Sequence, residues 1–460
     1  MNPENRKPIN KLSHIKAKDG YHQHFIKKQQ DGYHQRFKRR IIMNSTIVIT
    51  GMGAVTPIGI GVDTFFQNLC QGTSGVSQIT RFDTSELPVR IAAEVKDFEP
   101  TDFIPKKLAK EMDTFMQYGY VAADEALTDA GLNPTDLSEL PVSPERVGIV
   151  VGTAFAGLGT IAETQAGLST GLHSKVSPRF VPKIIGNIAA AQIAIAKGFQ
   201  GPSLTVTTAC SSGADALSTG IMLLNSGEAD VVLCVGAEAA TSPLNILGLA
   251  SAHALSTYND TPETASRPFD ATRNGFVMGE GGGCIIIETE EHAKARGARI
   301  HASVPGWANC TDGYHVTSPH PDGIGAIYCM KRCIEKAGIT SSDVDYINAH
   351  GTSTPKGDII ETKAIHSLFG EHASKLAVSS TKGATGHLMG AGGIVEAICC
   401  VKAIEEGILP PTLNLTTPDP ECDLDYVPNK ARKQKIRLAM SNAFGFGGQN
   451  SSILVAQYKQ

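Results

Sequence analysis

Four clusters of residues carry chemistry. Thr207-Thr-Ala-Cys210-Ser-Ser-Gly213 sets a cysteine where a strand-like run gives way to a helical one. At such a turn, free N–H groups and the helix dipole favour a thiolate. The alternative is a buried cysteine that fills space, as the other nine read. In Asn348-Ala-His350-Gly-Thr352-Ser-Thr354-Pro-Lys-Gly-Asp358 a histidine follows a strand directly, among residues that shape a substrate-facing loop. Ser380-Thr-Lys382-Gly-Ala-Thr-Gly-His387-Leu-Met-Gly-Ala-Gly-Gly393 adds a cation and a second histidine to a glycine-rich turn. A phosphate cradle is the competing reading, but the GxxxxGK[ST] spacing is absent. His350 and His387 could share a metal, yet no carboxylate stands at ligand spacing, so none is expected. In Asn442-Ala-Phe444-Gly-Phe446-Gly-Gly-Gln-Asn450, Phe alternates with Gly, leaving either a bulge or backbone N–H groups free to meet an oxyanion.

Alternating strand and helix patterns must position these clusters, which makes the chain an α/β protein. Thr46–Thr50, 146–151, Ser203–Thr208, 229–235 and 284–288 read as strands. Residues 106–130 and 211–225 read as helices, with Gly131 and Gly227 as stops. The same order returns in 328–338, 344–348, 375–380, 392–406, 437–441 and 452–456, so the simplest architecture is a duplicated unit with one shared site. Boundaries of 43–298 and 299–460 separate the two halves, with no Pro/Ser-rich linker between them.

Composition bounds the rest. The chain has 460 residues, 41% hydrophobic and 19% charged with a net charge of −4, which excludes a disordered chain and a general nucleic-acid binder. Residues 1–42 carry eleven Lys/Arg against three acids, a net +8, leaving −12 for the body. They contain a twelve-residue repeat, DGYHQHF then DGYHQRF, and too few apolar residues for a core. A disordered, dispensable extension is expected, or upstream sequence included by gene-start choice, since Met43 directly precedes the first strand. An organelle presequence is the alternative. No CxxC pair, signal peptide or long apolar run appears, so a reduced cytoplasmic location, no membrane span and no structural zinc are expected.

TACSSG, NAHGTSTPKGD, STKGATGHLMGAGG and NAFGFGGQN, in this order, resemble the signatures of the condensing enzymes. From Ile47 onward the chain is similar to the beta-ketoacyl-acyl-carrier-protein synthases of the second type. ITGMGAVTPIG (Ile49–Gly59), SRPFD (Ser266–Asp270) and GFVMGEG (Gly275–Gly281) add to the likeness. The resemblance implies a thiolase-like fold, with duplicated βαβαβαββ halves in a five-layer αβαβα arrangement. It implies that Cys210 holds the acyl chain and that His350 and His387 stabilise the enolate left when malonyl-ACP loses CO2. Lys382 becomes an electrostatic organiser with Glu396 as its partner, and the amides of Cys210 and Phe446 the oxyanion hole. Thr352 and Thr354 match contacts to the phosphopantetheine arm, and Phe446 matches a gate beside Phe444. The implied partners are acyl carrier protein and a second copy of the chain, with no cofactor besides the phosphopantetheine that the carrier brings. Fatty acid elongation is the implied role, and a polyketide-type ketosynthase the alternative. A Cys–His thioester hydrolase and a non-catalytic chain-length subunit are the rivals, and the retained Cys210 speaks against the latter. Two positions depart from the pattern. Phe155 stands where an aliphatic residue is usual, predicting a shorter acyl pocket. His253 replaces a basic docking residue, leaving Lys106, Lys107 and Lys110 to supply the patch.

Overall fold

Ten strands make the frame: β1 (Ile47–Thr56), β2 (Val147–Gly152), β3 (Ser203–Val206), β4 (Val231–Glu238), β5 (Gly281–Thr289), β6 (Ala302–Thr311), β7 (Tyr346–Asn348), β8 (Ala377–Ser379), β9 (Leu438–Gly445) and β10 (Gln449–Gln457). The structure, a computed structural model, describes residues 45–133, 137–171 and 176–459. The basic segment 1–42, and the expectation of disorder there, lie outside the described residues.

Hydrogen-bonded neighbours run β8-β7-β9-β10-β6-β1-β5-β4-β2-β3. The first five strands therefore stand in the order 3-2-4-5-1, and the second five repeat it as 8-7-9-10-6. Strand senses repeat as well. β2 is parallel to β3 and β4, while β5 is antiparallel to β4 and β1. β7 is likewise parallel to β8 and β9, while β10 is antiparallel to β9 and β6. The halves join where β1 meets β6 at Val48↔Ser303 and Ile49↔Ala302.

Five helices complete the layers: α1 (Thr114–Asp129), α2 (Ser212–Ser226), α3 (Ile324–Ala337), α4 (Gly357–Phe369) and α5 (Gly392–Glu406). α1 covers β1, β4 and β5 on one outside, and α3 covers β6 and β10 on the other, with α4 packed beside it. Between the halves, α2 and α5 pack on each other. Their crossing is tight enough to demand glycine. A Cβ at Gly393 would lie 2.5 Å from Ala214 N, and one at Gly213 would lie 2.8 Å from Gly390 O. The inward face of α2 is the one its periodicity predicts, with Ala214, Leu217, Ile221 and Leu224 all buried. Each fully buried aliphatic side chain of this kind contributes about 1.5–3 kcal/mol.

Two elements differ from the sequence expectation. Residues 106–130 form not one helix but a short turn of helix at Lys106–Ala109 and then α1. The first ends at Lys110, and Asp113 starts the second, because its carboxylate accepts the Phe115 N–H and caps α1. β1 also runs on through Gly51 and Gly53 to Thr56, with a register shift between Ile49 and Gly51. No described helix is long and apolar enough to cross a membrane.

Candidate active site

Cys210 sits in a short 3-10 turn, Ala209–Ser211, between β3 and α2. Ala209 holds a positive φ of 52°, a strained conformation that turns the chain sharply ahead of the helix. Asp215, one helical turn on, accepts the hydroxyls of Thr208 (2.6 Å) and Ser211 (3.0 Å) and braces this turn. The Cys210 thiol is free and nearly enclosed. Burial pushes it up to about 11, against the Phe446 amide, the Lys382 charge and its own amide, all of which favour the thiolate. Desolvation outweighs the two amides and the Lys382 charge here, so the resting nucleophile is a thiol.

The Phe446 amide reaches the sulfur because β9 ends against the nucleophile turn. Gly445 makes that approach possible, since a Cβ there would lie 2.8 Å from Thr208 O and 3.1 Å from Cys210 N. Two backbone N–H groups, of Cys210 and Phe446, thus converge on Sγ.

His350 follows β7 and His387 follows a four-residue helix, Lys382–Thr385. Sγ of Cys210 and one ring nitrogen from each histidine lie within 4.8 Å of one another. The imidazoles meet edge-on, centroids 5.4 Å apart. Burial first, and then the charge of Lys382, hold both well below the ordinary imidazole range, so both are neutral. The Met389 N–H donates to Nδ1 of His387 at 3.3 Å, which leaves the proton on Nε2. That Nε2 is buried without a partner, as is Nδ1 of His350. A buried polar atom without a partner is costly, which leaves these two available to a ligand. Cys210, His350 and His387 are also the one described group able to hold a metal ion. The Lys382 charge that suppresses the imidazolium forms opposes a second cation equally.

Lys382 is fully buried, and its ammonium pairs with the Glu396 carboxylate on α5. Its carbonyl accepts the Ser266 hydroxyl at 2.6 Å, tying SRPFD to this loop. Glu361 on α4 accepts the N–H groups of His350 (2.9 Å) and Gly351 (2.8 Å), fixing the loop that carries the first histidine. Glu238, at the end of β4, accepts the amides of Ala154 (2.7 Å), Phe155 (3.2 Å) and Gly390 (3.1 Å). Burial raises its carboxyl to about 7 despite those donors. Reading the sequence did not find Asp215, Glu238 or Glu361. Asp215 and Glu361 carry a weak local signal, an acid on the helix next to each motif, whereas Glu238 has none.

Cys210, His350, Glu361 and His387 line a cavity of about 480 Å³. Thr352 and Thr354 line it too, their hydroxyls 3.2 Å apart, and so do Phe444, Phe446 and, toward solvent, exposed His253. Phe155 does not. It packs instead into the apolar cluster that contains Cys210, Met389 and Phe446. Lys106, Lys107 and Lys110 are exposed on their helical turn and do not line the cavity. Lys356, which the sequence reading passed over, is exposed and does.

Comparison with known proteins is consistent with this geometry. The family model described as "Beta-ketoacyl synthase, N-terminal domain" matches residues 44–293, and "Beta-ketoacyl synthase, C-terminal domain" matches 301–416. The chain belongs to the beta-ketoacyl synthase family. It is accordingly an acyltransferase that forms carbon–carbon bonds. It is 45% identical over 413 residues to 3-oxoacyl-[acyl-carrier-protein] synthase 2 of Synechocystis, covering 90% of this chain and 98% of that one. The Coxiella burnetii protein of the same name is 44% identical over 411 residues, covering 89% and 98%. Among solved structures, a beta-ketoacyl synthase from Burkholderia phymatum superposes with a TM-score of 0.83 at 33% identity, covering 90% of this chain and all of that one. A type II PKS ketosynthase in complex with its acyl-carrier protein gives 0.82 at 31%, with coverage of 90% and 100%.

Proposed function

We propose that the chain condenses an acyl-acyl-carrier-protein with malonyl-acyl-carrier-protein, releasing CO2 and extending the acyl chain by two carbons. The convergence of Cys210 Sγ, two neutral imidazoles and two backbone amides within one enclosed cavity carries this reading. Cys210 attacks the acyl thioester, and its proton ends on the departing pantetheine thiol. Negative charge on the tetrahedral oxygen falls to the Cys210 and Phe446 amides. In the second step the malonyl carboxylate leaves as CO2, and its bonding pair becomes an enolate. Nε2–H of His387 donates to that oxygen, and His350 supplies a second neutral ring nitrogen. The carbanion then attacks acyl-Cys210, the C–S bond breaks, and the released thiolate takes up the one proton that the overall reaction draws from solvent. Burial first, and then the charge of Lys382 held by Glu396, keep both imidazoles uncharged so that they stabilise an anion without taking a proton from solvent.

Thr352 and Thr354 would hold the pantetheine arm, Phe444 and Phe446 would gate it, and Phe155 would bound the acyl chain. Lys356 and the Lys106–Lys110 turn would meet the acidic carrier. Leu204 on the edge strand β3, with Ile195 on the helix that precedes it and both exposed, supports a homodimer built on that edge. Fatty acid elongation is favoured over a polyketide role by identity, at 44–45% to the synthase 2 relatives against 31% to the type II PKS ketosynthase. The test is mass spectrometry of carrier-bound products after mixing acyl-ACP, malonyl-ACP and protein. A 3-oxoacyl-ACP two carbons longer is expected; free acid without extension would establish the hydrolase instead.

A further inference from the structure

Glu238 holds two turns beside the site without lining its cavity, and none of the steps above uses it. It is wholly buried at the end of β4, and one of its oxygens bonds both halves of the chain. One oxygen accepts Ala154 N–H at 2.7 Å and Gly390 N–H at 3.1 Å. The other accepts Phe155 N–H at 3.2 Å and the Thr153 hydroxyl at 3.4 Å. The Thr153 hydroxyl in turn accepts Ala156 N–H at 3.2 Å, so the whole turn 153–156 is organised around one carboxylate. Contact between the two turns is too close for any side chain at Gly390, where a Cβ would meet Ala154 N at 2.6 Å and Glu238 Oε2 at 2.8 Å.

The Gly390 turn is not passive. Met389, its neighbour, sits at a positive φ of 47° and gives its N–H to Nδ1 of His387. That hydrogen bond sets which nitrogen of His387 carries the proton. The other turn presents Phe155 to the apolar cluster around Cys210.

We infer that Glu238 is a positioning residue that couples the acyl-binding turn 153–156 to the His387 tautomer. Resting on the condensing reaction proposed above, the inference assigns Glu238 two linked effects: which acyl groups Cys210 accepts, and how fast malonyl-ACP loses CO2 afterwards. A shift of the 153–156 turn to fit a primer passes through the carboxylate to Gly390 and Met389, and so to the donor at His387. Misplacing a reacting group by about 1 Å reduces rate by up to about 100-fold, so a link this short is enough to matter.

The test is Glu238→Gln, which keeps the shape but turns one accepting oxygen into an NH2 group facing other donors. Two readouts are needed: the primer-length profile of Cys210 acylation, and CO2 release from malonyl-ACP by the acylated enzyme. Both should move. The profile should shift, and kcat for CO2 release should fall about 10- to 100-fold with KM for malonyl-ACP within about twofold. A change in one readout alone overturns the coupling. No change in either, with or without a lower melting temperature, overturns it too and leaves Glu238 purely structural. Should Glu238→Gln fail to fold, Thr153→Val removes one donor to the carboxylate and should move both readouts the same way by less; movement of one or neither overturns the inference. Wild-type protein that makes no extended product would defeat the condensing reading itself, a result distinct from all of these.

Discussion

The strand–turn–helix unit β3–α2 and its repeat β8–α5 share a fold and differ in everything that matters chemically. Five residues, 207–211, separate β3 from α2, whereas twelve, 380–391, separate β8 from α5. The short turn can aim one atom, the Cys210 sulfur, along a helix axis. The long one makes room for Lys382, His387 and a second, four-residue helix. Surroundings differ too. β8 is fully buried, and Val378 N–H donates to Asp425 O on its outer side at 2.8 Å. β3 has Ser203 and Leu204 exposed and forms the other end of the sheet. One copy has become an enclosed electrostatic device. The other delivers the nucleophile and keeps an open edge, the kind that natural proteins cover or pair.

If that division of labour is right, removing each copy's reagent breaks a different step. Cys210→Ala should abolish acyl-enzyme and product together, a loss on the order of 10³-fold or more in condensation. His387→Ala should leave Cys210 able to take an acyl group while condensation falls by about 10²–10³-fold, the range for losing one oxyanion donor. Following acylation by intact mass and CO2 release in parallel separates the two; acylation lost in His387→Ala would contradict the assignment. Glu396→Leu should destabilise the protein by about 3–5 kcal/mol, because it leaves the Lys382 ammonium buried without a partner. Adding Lys382→Met should recover much of that stability without restoring condensation, read by thermal melts and product assay. The smallest effect belongs to the open edge. Leu204→Asp should leave the fold intact and shift a dimer toward monomer in sedimentation analysis, and an unchanged dimer would move the interface elsewhere.

The reagents were legible in the sequence because each sits in a run of small residues that lacks the apolar periodicity of a strand or helix. Cys210, His350, Lys382, His387 and Phe446 converge as their motifs implied, and the recurring strand order matches the duplication read from alternating patterns. What tunes the reagents was not legible. Glu238 acts on Gly390 across 152 positions, and Glu396 was named only through the resemblance. Asp113 starts α1 within a stretch whose apolar periodicity runs straight through it, since capping is decided by one carboxylate and not by a pattern. Phe155, expected as a wall to the acyl chain, packs into the apolar cluster that contains Cys210, beside the described cavity and outside its lining. Backbone amides that meet a carboxylate or a sulfur leave no mark in side-chain spelling.

The central claim is that Cys210 carries the acyl chain and that His387 and His350 then release CO2 against it. Intact-mass analysis with peptide mapping tests it most directly, first after acyl-ACP alone and then after malonyl-ACP is added. The account predicts an acyl adduct on Cys210 that disappears as carrier-bound product two carbons longer appears. An adduct on another residue, or one that decays to free acid when malonyl-ACP arrives, would contradict it.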